Sequence, residues 1–174
     1  MDSEIYDVLV LGTGAAGCAA ALKAADEGAR VLLVTKGDEI LDSNTAHAQG
    51  GIIARGHHDS PELLMDDIVK AGDGLCWPPA VRQLAYDGPP LVYSLLIDRL
   101  HVNFSRHGDK LDYTKEAAHS TRRILHTNDA TGRAVAEGLA TGVKTHPHIE
   151  IRTRQTAVDL ITLPHHSTSP LAIY

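Results

Sequence analysis

An α/β fold with a parallel sheet is what this chain of 174 residues predicts, and three observations predict it. The apolar run Tyr6 to Leu11 ends in Gly12-Thr13-Gly14-Ala15-Ala16-Gly17, a G-x-G-x-x-G. An Ala-rich stretch, Ala15 to Glu27, follows with helical composition and closes at Gly28. A second apolar run, Arg30 to Thr35, then completes a βαβ unit of roughly thirty residues. Strand, glycine turn, helix and strand in this order make a Rossmann-like half. Such a half receives a dinucleotide pyrophosphate at the helix N-terminus. Gly12 allows the turn, Gly14 lets the backbone approach the phosphates, and Gly17 lets the helix pack close to the strand.

The remaining elements follow in order. Lys36 to Asn44 is a polar loop. Pro61 to Ala71 has helical spacing, with Ser60 as N-cap and Pro61 at the first helical position. Pro79 to Tyr86 and Leu91 to Leu100 read as two helices separated by Gly88-Pro89-Pro90, since proline lacks the helical N–H donor. Val102 to Phe104 and Leu111 to Tyr113 flank Gly108-Asp109, a hairpin turn. Asp129-Ala130-Thr131-Gly132 reads as the cap of a helix over Thr131 to Thr145. Ile149 to Arg152 and Thr156 to Leu163 read as strands. The chain stops at Leu171-Ala172-Ile173-Tyr174, an apolar, strand-like end, and the expectation is a chain cut short within its domain.

Composition excludes several classes. The hydrophobic fraction of 43% suits a globular protein. The net charge of −6 and the lack of a basic block speak against nucleic-acid binding. No apolar run approaches a membrane span, and the acidic start Met1-Asp2-Ser3-Glu4 is unlike a signal peptide. The two cysteines, Cys18 and Cys76, have no metal-ligand spacing and fit a reducing cytoplasm. Eleven histidines are mostly scattered; the pairs His57-His58 and His165-His166 lie in polar stretches, and no metal site is expected.

The end of the second strand bears on which dinucleotide binds. An NAD site usually has an acidic residue there, but this chain has Thr35-Lys36. Lys36 would suit a 2′-phosphate, as in NADP, or simply a solvated loop.

The segment Ser43-Asn44-Thr45-Ala46-His47-Ala48-Gln49-Gly50-Gly51-Ile52 resembles the flavin-contacting segment of the succinate dehydrogenase and fumarate reductase flavoprotein family, Ser-His-Thr-x-x-Ala-Gln-Gly-Gly-Ile. Small residues and paired glycines let backbone amides approach a flavin ring and a pyrophosphate. The family's dehydrogenases attach FAD covalently through the His of that pattern. Asn44 stands there in this chain, so the resemblance implies FAD held without a covalent bond. A second segment, Glu116-Ala117-Ala118-His119-Ser120-Thr121-Arg122-Arg123-Ile124-Leu125-His126 with Asp129-Ala130-Thr131-Gly132, is similar to the L-aspartate oxidase branch of that family.

The resemblance implies a Rossmann-like FAD-binding domain with a parallel sheet, incomplete here. Residues 1–174 would be its N-terminal part, truncated before the capping domain and without the C-terminal helical domain. It implies oxidation of L-aspartate to iminoaspartate, with oxygen or fumarate as acceptor, in quinolinate and NAD biosynthesis. Quinolinate synthase would act downstream, and the location would be cytoplasmic. Cofactor contacts fall on Gly12, Thr13, Gly14, Ala15, Ala16, Gly17, Lys36, Asn44, Thr45, Ala46, His47, Ala48, Gln49, Gly50, Gly51, Ala157 and Val158. Glu116 would recognise the substrate ammonium, the group that separates aspartate from succinate. His119 is a further candidate contact near the flavin, while Arg122 and Arg123 are expected to order the loop. The fragment alone is expected to be inactive. Two other readings stay open: a fumarate reductase or succinate dehydrogenase flavoprotein fragment, and a non-catalytic nucleotide-binding module.

Overall fold

The β-branched and leucine runs near the N-terminus form β1 (Val8–Leu11) and β2 (Val31–Val34), joined by the alanine-rich α1 (Ala15–Asp26). The structure, a computed structural model, describes residues 4–128 and 130–160. Asp129, His165-His166, the end of the expected last strand and Leu171-Ala172-Ile173-Tyr174 lie outside them. β2 is the central strand of a three-stranded parallel sheet, with β1 on one side and β8 (Ile149–Arg152) on the other. The register sets Val10 beside Leu33 and Leu33 beside Ile151.

Parallel strands need a crossover, and α1 supplies it on one face of the sheet. The helix α5 (Thr131–Thr145) covers the same face. Cys18, Ala21, Leu22 and Ala25 of α1 pack there with Val31, Leu33, Val135, Leu139 and Val143. On the opposite face Leu9 and Leu11 of β1 stay half exposed.

The segment from 44 to 128 builds on this base. It holds α2 (Asn44–His47), β3 (Ile52–Ile53) and α3 (Pro61–Ala71). Next come α4 (Pro78–Leu91), a π-helix (Val92–Arg99) and the short strands β4 (Arg106–His107), β5 (Lys110–Leu111), β6 (Tyr113–Thr114) and β7 (Ile124–Leu125). β7 pairs antiparallel with both β3 and β6. The cap of α3 is the expected one: Ser60 Oγ accepts from the Leu63 N–H at 3.2 Å.

Four local expectations are corrected. First, Gly88-Pro89-Pro90 does not separate a pair of helices: α4 runs through it and passes straight into the π-helix. Pro89 has no N–H for the carbonyl of Ala85, and Arg55 Nη2 donates to that carbonyl instead, at 2.7 Å. The π turns then take over, the Leu100 N–H reaching back to Leu95 O at 3.0 Å. Second, the hairpin turns at Gly108-Asp109 as expected, but its strands are β4 and β5. Val102 and Phe104 form no strand: the Val102 N–H donates back to Leu96 O at 2.8 Å and the Phe104 N–H to Val102 O at 3.1 Å, so these amides are not available to a ladder. Third, residues 156–160 form no strand. The preceding chain is held across the strand ends by Gln155 N–H to Thr35 O and Arg154 N–H to Gly37 O, both 3.0 Å, and residues 156–160 then pass over the face of the sheet beside Leu9, Leu11 and Leu32 rather than along a strand edge. Fourth, Thr131 does not cap α5. It lies inside the helix, and its Oγ1 accepts from the Thr127 N–H at 2.9 Å.

Candidate FAD-binding site

A groove of about 470 Å³ opens where β1 and β2 end at their carboxyl edge. Open parallel sheets bind ligands at this edge. Its floor is the turn between β1 and α1. Gly12 takes φ 98°, a left-handed conformation that a side chain would resist, and its N–H donates to Val34 O at 2.7 Å. A Cβ on Gly17 would stand 2.0 Å from Gly12 O, so only glycine lets α1 begin this close to the turn. Gly14 is the N-cap of α1. Glycine has no side chain to cap that end itself, and the first turn holds no acidic residue. The unpaired amides and the positive end of the helix dipole are therefore left for an anion. Thr45 takes one of those amides: its Oγ1 accepts from the Ala15 N–H at 2.9 Å.

Two buried hydroxyls of the groove, Thr13 Oγ1 and Ser43 Oγ, have no hydrogen-bond partner among the described residues. A buried hydroxyl without a partner is costly, and the phosphate and ribose oxygens of a dinucleotide are the acceptors and donors it lacks. Lys36 lies exposed at the rim, while Thr35 is buried beneath it with its Oγ1 accepting from the Gly37 N–H at 3.3 Å. Hydroxyls and a lysine ammonium are the donors that the ADP part of FAD takes.

Gly12, Thr13, Gly14, Lys36, Asn44, Thr45 and Ala157 thus come together in one groove. Thr35, Asp42, Ser43, Gln155 and Thr156 join them, none of which was an expected cofactor contact. Ser43 was visible as the first residue of the Ser-Asn-Thr run, and Gln155-Thr156 only as neighbours of Ala157. Ala15 and Ala16 line instead a cavity of about 210 Å³ between α1, the π-helix and α5. Val158 does not line the groove: it is 93% exposed and lies with Leu9, Leu11 and Leu32 on the far face of the sheet, which Ala157 reaches as well.

Ala46, His47, Ala48, Gln49, Gly50 and Gly51 lead away from the groove through the end of α2 into β3. Close backbone contacts hold this segment. The Gly132 N–H donates to Ala48 O at 3.0 Å, and a Cβ on Gly132 would stand 2.2 Å from Thr45 O. A Cβ on Gly51 would stand 2.5 Å from Ile124 Cγ2. The Glu116 carboxylate lies against Gly50, its Oε2 3.3 Å from where a Cβ would be. His119 is turned to Arg123, Nδ1 to Nη1 at 3.3 Å.

Arg123 is fully buried between two carboxylates. Its Nη2 donates to Asp59 Oδ1 at 2.8 Å and its Nη1 to Asp67 Oδ2 at 2.7 Å. Arg55 Nη1 is 3.7 Å from the other oxygen of Asp59. Asp67 Oδ2 also accepts from Ser120 N–H at 2.8 Å and Ser120 Oγ at 2.9 Å. Burial pushes the Asp67 carboxyl up, but the Ser120 donors and the Arg123 charge outweigh it and hold it below the usual carboxylate range. Arg122 is exposed and donates from Nε to Tyr113 O at 2.7 Å. The sequence pointed to a loop-ordering role for the arginines but not to Arg55, Asp59 or Asp67 as their partners.

Burial raises the Cys18 thiol to about 11, in keeping with an inert core residue. Among the described residues no cluster of His, Cys, Asp or Glu could hold a metal ion, and no helix is long and apolar enough to cross a membrane.

Fold and groove together define a dinucleotide-binding α/β domain of the flavoprotein kind. The chain belongs to the FAD-binding domain family, whose profile matches residues 7–169, and FAD is its cofactor. It is 44% identical over 161 residues to an L-aspartate oxidase of Halobacterium salinarum, covering 92% of this chain and 31% of that protein. It is 44% identical over 156 residues to an L-aspartate oxidase of Nostoc, covering 89% of this chain and 26% of that protein. The chain therefore spans about a third or less of the length of these relatives. Among solved structures, the open conformation of a flavocytochrome c3 fumarate reductase matches with a TM-score of 0.81 and 27% identity, over 95% of this chain and 29% of that one. The quinol fumarate reductase FrdA of E. coli matches with a TM-score of 0.79 and 26% identity, over 88% and 26% respectively.

Proposed function

We propose that residues 1–174 are the N-terminal part of the FAD-binding domain of an L-aspartate oxidase, which the capping and C-terminal helical domains complete. The observation that carries this reading is the identity of 44% with L-aspartate oxidases, against 26% and 27% with the fumarate reductase structures. The enzyme oxidises L-aspartate to iminoaspartate, with oxygen or fumarate as electron acceptor. The product feeds quinolinate synthase and NAD biosynthesis in the cytoplasm.

FAD, when bound, supplies the hydride acceptor. The chain's own residues bind and orient. Thr13, Ser43 and Lys36, with the free amides of α1, hold the pyrophosphate and ribose side. Gly50 and Gly51 let this segment run close against Glu116 and Ile124 on its way past the flavin, and Asn44 leaves the flavin without a covalent link. Glu116, beside Gly50, presents a carboxylate to the substrate ammonium.

In the full-length enzyme, Glu116→Gln lowers kcat/KM for L-aspartate by about 10- to 100-fold, the value of a charge-assisted hydrogen bond, and leaves fumarate reduction near its original rate. Equal loss of both refutes the ammonium role. The 174-residue chain mixed with FAD and L-aspartate is expected to form no peroxide; turnover at an ordinary enzymatic rate contradicts the division of labour between this segment and the domains that complete it. A covalently bound flavin in the full-length protein would move the reading to the succinate dehydrogenase and fumarate reductase branch. A full-length protein that binds FAD without oxidising L-aspartate or reducing fumarate would make it a nucleotide-binding module.

A further inference from the structure

Residues 116–123 form a strap that carries Glu116 at one end and the buried Arg123 at the other. We propose that the charge chain Arg55–Asp59–Arg123–Asp67 sets substrate selectivity by fixing this strap, with Asp67 as the residue that positions Glu116. The inference rests on the reading of Glu116 as the ammonium-binding group.

The geometry supports it from both sides. Two positive and two negative side chains alternate along the chain, so its buried charges neutralise one another. Asp67 Oδ2 collects three donors, and all three belong to the strap: Ser120 N–H, Ser120 Oγ and Arg123 Nη1, at 2.7 to 2.9 Å. The strap lies flat on the segment before α3. Arg123 O accepts from Ala54 N–H at 2.8 Å, and a Cβ on Gly56 would stand 1.8 Å from Arg122 O. Between Asp67's contacts and Glu116 the backbone makes one tight bend, with Ala117 at φ 43° and His119 N–H donating to Glu116 O at 3.1 Å. A non-glycine residue keeps such a conformation only when its surroundings hold it there. Asp67 supplies that hold, four residues before the end of α3, while Glu116 sits against Gly50. Nothing in this arrangement requires the carboxylate of Asp67 to touch substrate or flavin.

The test is a double-mutant cycle in the full-length enzyme. Asp67→Asn is expected to lower kcat/KM for L-aspartate about tenfold and to change fumarate reduction by less than about twofold. In the Glu116→Gln background, Asp67→Asn lowers kcat/KM no further, although it lowers the thermal midpoint by the same amount as in the parent. Ser120→Ala, which buries no new charge, follows the same pattern with a smaller effect and covers the case in which Asp67→Asn fails to fold. Equal losses on both substrates, or the same loss of kcat/KM in both backgrounds, overturns the positioning role. If Glu116→Gln itself leaves aspartate oxidation intact, the ammonium reading fails instead, and the two failures are told apart.

Discussion

The Rossmann-like unit and the segment from 54 to 128 are held together in opposite ways. In the first, backbone and small residues make the decisive contacts. Gly12 bends, Gly17 lets α1 meet the turn, and aliphatic side chains fill the contact between α1, α5 and the sheet. In the second, buried side-chain charges join elements that backbone ladders barely connect, the strands there being only two residues long. A backbone-built contact tolerates few changes of size, as at Gly17 and again at Gly56 in the second region, and the charge-built network of the second region tolerates few changes of sign. The groove for the nucleotide lies in the first region and Glu116 in the second.

The contrast is broken most forcefully at Arg123. Arg123→Met leaves Asp67 without its cation and Asp59 with only the more distant Arg55, and is expected to cost about 3–5 kcal/mol of stability, measured by chemical denaturation. A loss below about 1 kcal/mol would mean that the network is not what holds this region. The matching change of size is Gly17→Ala. It forces a methyl to 2.0 Å from Gly12 O and is expected to cost about 1–3 kcal/mol and to weaken FAD binding, read by quenching of flavin fluorescence. Acid provides a gentler probe. The Asp67 carboxyl lies below its usual value when folded, because the Ser120 donors and Arg123 outweigh the effect of its burial. Its contribution is therefore complete above the unfolded carboxylate value of about 4 and is lost as pH falls through the lower folded value. Asp67→Asn should flatten the fall in denaturation midpoint below about pH 4, and an unchanged acid profile would contradict this. The smallest effect is at α3, where Ser60→Ala removes the cap of the Leu63 N–H and is expected to cost about 1 kcal/mol in the same denaturation assay.

The two regions also differ in how far the sequence discloses them. β1, α1 and β2 lie within one or two residues of their expected bounds, and α3, α5 and β8 fall on theirs. Their signals are local: apolar period, a Ser-Pro start and a glycine turn. The run through Pro89-Pro90 was not legible, since the donor that replaces the missing N–H sits on Arg55, far away in sequence. The absent strand at 156–160 fails for a related reason. Alternating apolar residues announce a strand, but here the stretch lies over the face of the sheet instead of along an edge, and its own sequence does not tell the two apart. In the site, Gly12 to Gly14, Asn44 and Thr45 were readable from motif order. Ser43's orphaned hydroxyl and the partners of Arg123 were not, because burial and pairing across 56 or 64 residues leave no periodic trace.

Arg55 belongs to both accounts of the second region. One nitrogen of its guanidinium faces Asp59 and the other holds the carbonyl that Pro89 leaves open. The side chain acts as a rivet through two plates, one the helix carrying the proline pair, the other the support beneath the strap. Bending the helix at Pro89 would pull on Asp59, and loosening Asp59 would free the helix to bend. Substitutions on the two plates are therefore coupled, and a change at the proline pair would reach the strap that carries Glu116 without altering any residue of that strap.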